Sequence, residues 1–126
     1  MLVVHGDPHG GENVVDWHGL TDFCKLFPKL PVLVWEFRTR ANRPMFDAMA
    51  ATKNLILSAS MLWQNQMIPQ IVKSFGADRL VFSMGLPGLD PGSLQMPLIY
   101  SDISEEDKQA VANKNILRML EEADYE

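Results

Sequence analysis

Residues 75–87 read FGADRLVFSMGLP. Inside this stretch Leu80–Met84 is apolar without alternation, as expected of a strand covered on both faces in a parallel sheet. Just ahead of it, Ile68, Ile71, Val72 and Phe75 fall at i, i+3, i+4 and i+7, which puts one apolar stripe on a helix. Gly76 is a natural stop for that helix. The stretch therefore reads as a helix end, a turn and a buried strand.

The same unit recurs on the N-terminal side. Leu2–His5, Pro31–Phe37 (PVLVWEF) and Leu55–Ser60 (LILSAS) are further continuous apolar runs. Between the first two, Leu20, Phe23, Cys24 and Phe27 mark a helix over about Asp16 to Phe27, ended by Pro28 and Pro31. Asn42 is placed to cap a second helix, with Pro44 tolerated in its first turn and Phe46, Met49 and Ala50 on its inner face. Beyond the fourth strand, GLPGLDPG (85–92) is a turn-rich loop. Ser93–Tyr100 suggests a short helix weakened by Pro97. Ser104-Glu105-Glu106-Asp107 matches a capping box, and Asn115 is placed to cap a last helix holding Ile116, Met119 and Leu120.

The expected fold class is α/β: consecutive βα units with parallel strands near 2–5, 31–37, 55–60 and 80–84, then C-terminal helices over 104–122 in one domain, 1–126. Periodicity alone leaves two architectures open, an open sheet and half of a (β/α)8 barrel. No Gly-rich phosphate loop follows a strand, which argues against a dinucleotide fold or a P-loop.

Composition narrows the function classes. The 126 residues are 47% hydrophobic and 21% charged, the balance of a globular domain and not of a disordered chain. Eleven Lys and Arg against sixteen Asp and Glu give a net charge of −5 with no basic stripe, so nucleic acid is not an expected partner. No apolar run approaches the roughly 18–20 residues that span a bilayer. The opening MLVVHGDPHGG lacks the features of a signal peptide, and a single cysteine, Cys24, suits a reducing compartment. The expectation is a cytoplasmic protein without a membrane partner.

Residues 75–87 together with SEEDKQAVANKNILRML (104–120) resemble the C-terminal end of the amidohydrolase-related family, metal-dependent hydrolases and decarboxylases built on a (β/α)8 barrel. That family's last strand is written F-G-x-x-R-[LIV]-[LIV]-F-G-[ST]-D-x-P. Phe75, Gly76, Arg79, Phe82, Pro87, Asn115 and Arg118 fall where the pattern of strand and terminal helix expects them. LFPKLPVLV (26–34) and ATKNLILSAS (51–60) are similar to two earlier strand entries of the family. The resemblance implies half of a TIM-like barrel from a divergent branch.

The departures bear on the chemistry. The family's HxH pair on its first strand has no counterpart in these residues. His5, at the end of LVVH, matches the fifth-strand metal ligand. The sixth-strand histidine is replaced by the run Trp35-Glu36-Phe37-Arg38, and Gly85 stands where the last strand's aspartate belongs. A glycine neither binds a cation nor accepts a proton. The resemblance therefore implies a metal-dependent hydrolase, or its C-terminal half, with a degenerate metal site, acting on a small carboxylate- or amide-bearing compound. Its cofactor would be a divalent metal, zinc first, or none. The alternative is a non-catalytic half-barrel unit for binding or assembly. Four parallel strands leave two edges open, so either a homodimer of half-barrels or a complementary N-terminal half is expected to cover them.

Each candidate residue also has a plain structural reading. His5-Gly6-Asp7-Pro8-His9 offers three ligand types within five residues, or simply a Gly/Pro-rich polar loop. Glu36 and Arg38 pair as base and carboxylate grip, or as an ion pair that steadies the strand exit. Ser58, Ser60, Gln64 and Asn65 suit ligand hydrogen bonds or local capping. Trp63 suits a pocket wall or a subunit contact. Cys24 reads as a small buried hydrophobe. Arg79 opens the last strand and is expected to form a structural ion pair with Asp78 or with the terminal helix. The candidate set is His5 for metal, Glu36 and Arg38 for catalysis, and Ser60 and Trp63 for substrate.

Overall fold

The structure, a computed structural model, describes residues 1–6, 15–37, 42–62, 64, 66–84 and 90–123. Four strands, β1 (Leu2–His5), β2 (Val32–Trp35), β3 (Leu55–Ser58) and β4 (Leu80–Val81), form one sheet in the order β1-β2-β3-β4. Every neighbouring pair is parallel. Helices α1 (Trp17–Leu26), α2 (Asn42–Ala51) and α3 (Met67–Phe75) connect the strands in turn. Helix α4 (Pro91–Ile99) follows β4, and α5 (Glu105–Gln109) and α6 (Asn115–Glu121) end the chain, joined by a π turn over Ala110–Lys114. No described helix is long and apolar enough to cross a membrane.

The unbroken apolar runs become strands because both sides of the sheet are filled. Val32, Val34, Leu55, Leu57 and Leu80 point toward the connecting helices and pack with Trp17, Cys24, Met45, Met49, Ile68 and Ile71. Leu33, Ile56 and Val81 point to the opposite face, where Met119 of α6 covers them beside Trp35 and Ile116. Burying each such side chain contributes about 1.5–3 kcal/mol. Connecting helices on one face of a parallel sheet, with a second apolar cluster on the other, is a layering compatible with a βα barrel.

Local signals locate most helix ends. Asp16 caps α1, its Oδ1 accepting from the amides of His18 and Gly19 at 3.2 and 3.1 Å. Gly76 ends α3 with φ of 98°, a left-handed geometry that glycine adopts without steric cost. Ser104 caps α5 by accepting from the Asp107 amide at 3.1 Å. Asn54 collects three loose carbonyls around the end of α1, those of Cys24, Phe27 and Leu30, at 2.8–3.2 Å.

Several expectations need correction. Asn115 caps nothing, because the helix runs on from α5 through the π turn into α6. Its buried amide instead donates to the carbonyls of Ala77 and Leu80, both at 2.8 Å. A long-range pair of backbone acceptors outcompetes the local cap. On α2 the inner face is Met45, Ala48 and Met49, and Ala50 faces solvent. Leu120 is likewise exposed, and Met119 is the buried contact of α6. Arg79 is buried, yet it makes no ion pair among the described residues. Its Nε donates to the Leu55 carbonyl at 2.6 Å and a terminal nitrogen to the Met49 carbonyl at 3.3 Å. Burial lowers the Arg79 pKa, with the charge of Asp78 and the Cys24 thiol opposing.

Candidate functional site

In βα barrels the chemistry gathers at the C-terminal ends of the strands. Strand register shows which side chains share that end. His5 is level with Trp35, and Ser58 with Val81, so His5, Trp35, Ser58 and Ser83 project from the interior face near its mouth.

Two of the sequence candidates meet there. His5 Nε2 lies 3.2 Å from Glu36 Oε2, linking the exits of β1 and β2. The imidazole is open to solvent (66% exposed) and the carboxylate mostly enclosed (19%). The partner that a glutamate after PVLVW requires is thus the neighbouring strand's histidine.

The backbone around this pair is built to hold it. Glu36 has φ of 49°, a left-handed geometry costing a non-glycine residue roughly 1–2 kcal/mol. That geometry ends β2 abruptly. The next residue, Phe37, is fully buried and sets its ring edge-on to Trp17 at 5.6 Å. On the other side, Gly6 donates its amide to the Trp35 carbonyl at 2.8 Å. A Cβ on Gly6 would sit 2.8 Å from Phe37 Cα and 3.0 Å from the Glu36 carbonyl oxygen, so only glycine lets the two strand exits approach this closely. Anchoring by Phe37 and the space left by Gly6 hold the strained turn that puts Glu36 beside His5.

A second polar group closes the other end of the mouth. Ser58, Ser60 and Ser83 are all buried. The Ser58 hydroxyl is hydrogen-bonded to that of Ser60 at 2.8 Å and to that of Ser83, tying the exits of β3 and β4 together. The Ser58 oxygen also accepts from the Ser60 amide at 3.4 Å. Two hydroxyl contacts use two of the three protons. Ser60, a substrate candidate, therefore has its hydroxyl engaged inside the cluster. Ser83 was not singled out in the sequence. A serine inside an apolar strand run, LVFSM, is the signal that could have found it, since a buried hydroxyl needs a partner.

Arg38, Trp63, Asp7, His9, Asn65 and Gly85 lie outside the described residues. His18 is a solvent-facing residue of α1. Cys24 is buried against the sheet, and burial raises its thiol pKa, with the Arg79 cation pulling the other way.

An imidazole nitrogen and a carboxylate oxygen 3.2 Å apart fit two corners of a tetrahedral zinc site, whose ligand–ligand edge is about 3.3 Å at bond lengths near 2.0–2.1 Å. The donor types suit that ion as well. No group of three or more His, Cys, Asp or Glu is poised for a metal among the described residues. The pair supplies two ligands of a site that needs more.

Four consecutive parallel βα units with polar groups at the strand exits have the architecture of half a TIM-type barrel. It is similar over 94% of its length to an uncharacterised TIM-barrel protein from Bordetella bronchiseptica, with a TM-score of 0.77 at 19% identity. The chain spans 44% of that protein's length. No protein-family model matches the chain, and no curated protein does so either.

Proposed function

We propose that the chain is the C-terminal half of an amidohydrolase-like, metal-dependent hydrolase, acting on a small carboxylate- or amide-bearing compound through a reduced metal site. The observation that carries this reading is the His5–Glu36 contact at the mouth, held by a strained turn against Gly6. Strain kept at a polar strand exit is characteristic of functional sites.

In this reading His5 is a metal ligand through Nε2. Glu36 takes the adjacent position, as a second ligand or as the base that draws a proton from water. A zinc ion there would polarise a substrate carbonyl and ease deprotonation of water. Without the ion, Glu36 accepts a hydrogen bond from His5 and holds the ring in place. Arg38, two residues further along the sequence, would grip a substrate carboxylate, and Trp63 would contact substrate. The serine cluster keeps the β3 and β4 exits in register.

The test is elemental analysis of the purified chain after dialysis, with His5→Ala alongside. Divalent metal near one ion per chain, lost in His5→Ala with an unchanged far-UV spectrum, is the expected result. A metal-free parent chain after incubation with excess zinc would overturn the metal reading.

A second reading is a non-catalytic half-barrel that binds or assembles. The two-donor limit of the described site favours it. Metal-free protein that still associates would support it.

A further inference from the structure

The three buried serines at the mouth leave one proton over. Ser58, Ser60 and Ser83 are 0, 1 and 5% exposed. A serine hydroxyl has one proton to give and two lone pairs to receive. Ser58 Oγ accepts from the Ser60 amide at 3.4 Å and contacts the hydroxyls of both Ser60 and Ser83. Its capacity is then full: it accepts from the amide and from one hydroxyl, and donates to the other. The serine that receives from Ser58 keeps its own proton. No other hydrogen bond engages that hydroxyl among the described residues. A buried donor left in this way is costly and rare, and it points to an acceptor that arrives from outside.

The row of hydroxyls can run in two directions, and the surroundings select one. Ser60 lies in the short turn Ala59–Met61, followed by the buried Leu62, and helix α4 lies against that turn. Ser83 stands just beyond β4, two residues after Val81, and its neighbour Met84 is 38% exposed. The open end is therefore Ser83. Protons run from Ser60 to Ser58 to Ser83, each bond polarising the next. The last proton is then presented to the interior face that carries His5 and Trp35.

We infer that the Ser83 hydroxyl is a ligand-binding donor, giving its proton to a carbonyl or carboxylate oxygen of the bound compound. Ser58 and Ser60 act behind it as positioning residues. The small exposed surface of Ser83 admits the edge of a small group. In the strand order Ser83 is three strands from His5, no more than about 14 Å at roughly 4.8 Å per strand. A compound that reaches both therefore carries two polar ends, one at the His5–Glu36 pair and an oxygen acceptor at Ser83. The inference rests on the reading of the mouth as a site for a small carboxylate- or amide-bearing compound, and names the residue that holds its far end.

The experiment titrates the zinc-free full chain with acetate and, separately, with acetamide, following backbone amide shifts by NMR. Saturable shifts at the Ser60 and Ser83 amides are expected with at least one probe. Acetate alone would mark a carboxylate, acetamide alone a neutral carbonyl. Ser83→Ala should weaken binding about three- to tenfold, the worth of one hydrogen bond. It should also hold or raise the thermal midpoint, since it removes a buried donor that lacks an acceptor; a merely structural serine would lower it. Ser83→Thr keeps the hydroxyl and should retain binding. Ser60→Ala, which only shortens the row, should weaken it less than about twofold. Absence of saturable shifts with both probes overturns the inference and leaves water as the acceptor. Binding that survives Ser83→Ala, or is lost only in Ser60→Ala, overturns it equally. A chain that binds a probe but never zinc sinks the metal reading alone, and one that keeps zinc but ignores both probes sinks this one alone.

Discussion

Glu36 carries the sharpest local conflict between backbone and side chain. Its left-handed φ penalises any residue with a Cβ. Glu36→Gly is therefore expected to hold or raise folding stability by up to about 1 kcal/mol, whereas Glu36→Ala keeps the strain and gains nothing. Both should lose any metal bound beside His5. Urea midpoints read against metal content check this, and a large loss of stability in Glu36→Gly would make the His5 contact a structural one. Gly6→Ala tests the other side of the turn. Its added methyl meets backbone at 2.8 Å, so about 1–3 kcal/mol of destabilisation is expected.

Cys24 gives a residue-scale prediction with a pH sign. Burial is the larger influence and raises its thiol pKa, although Arg79 opposes. A thiol pKa raised in the folded state stabilises the fold below the ordinary thiol range, and this contribution is lost as pH rises through it. Folding stability should fall in that alkaline window, and Cys24→Ala should flatten the fall. Thiol reagents near pH 8 should label the native chain only as fast as it opens, because buried protonated thiols are inert. Rapid stoichiometric labelling under native conditions would refute the burial.

At the scale of elements, the terminal helix does two jobs. Met119 covers the interior face of the sheet, and Val111 with Asn115 closes its β4 edge. Asn115→Ala leaves the Ala77 and Leu80 carbonyls buried without their donor, at a cost of about 2–4 kcal/mol. Asn54→Ala releases three carbonyls at the end of α1 and should cost about 1–3 kcal/mol, less where water can reach them. Denaturant unfolding separates the two cases. Asn115→Ala should also speed amide exchange at Phe82, while Asn54→Ala should leave that amide protected.

For the whole molecule, the terminal helix closes the β4 edge of the sheet, so that helix and the sheet should unfold in one cooperative transition.

The βα order, the parallel sheet and several helix ends were legible in the sequence, because they depend on local matters: unbroken apolar runs, 3.6-residue stripes, Ser104 as a cap, Gly76 as a stop. His5 and Glu36 could be named as candidates from their places at strand ends. Their contact could not, since it depends on strand register and on the close approach at Gly6 across thirty-one residues of chain. The same holds for Asn115, whose side chain reaches carbonyls 35 and 38 residues away, and for Arg79, which found carbonyls where an ion pair was expected. Ser83 joined the mouth only when β3 and β4 came side by side. Periodicity is written by neighbours in sequence, so the sequence alone determined the elements and their order. Partners across the sheet are chosen by register, twist and the need to satisfy every buried polar group, and only the tertiary structure decided those.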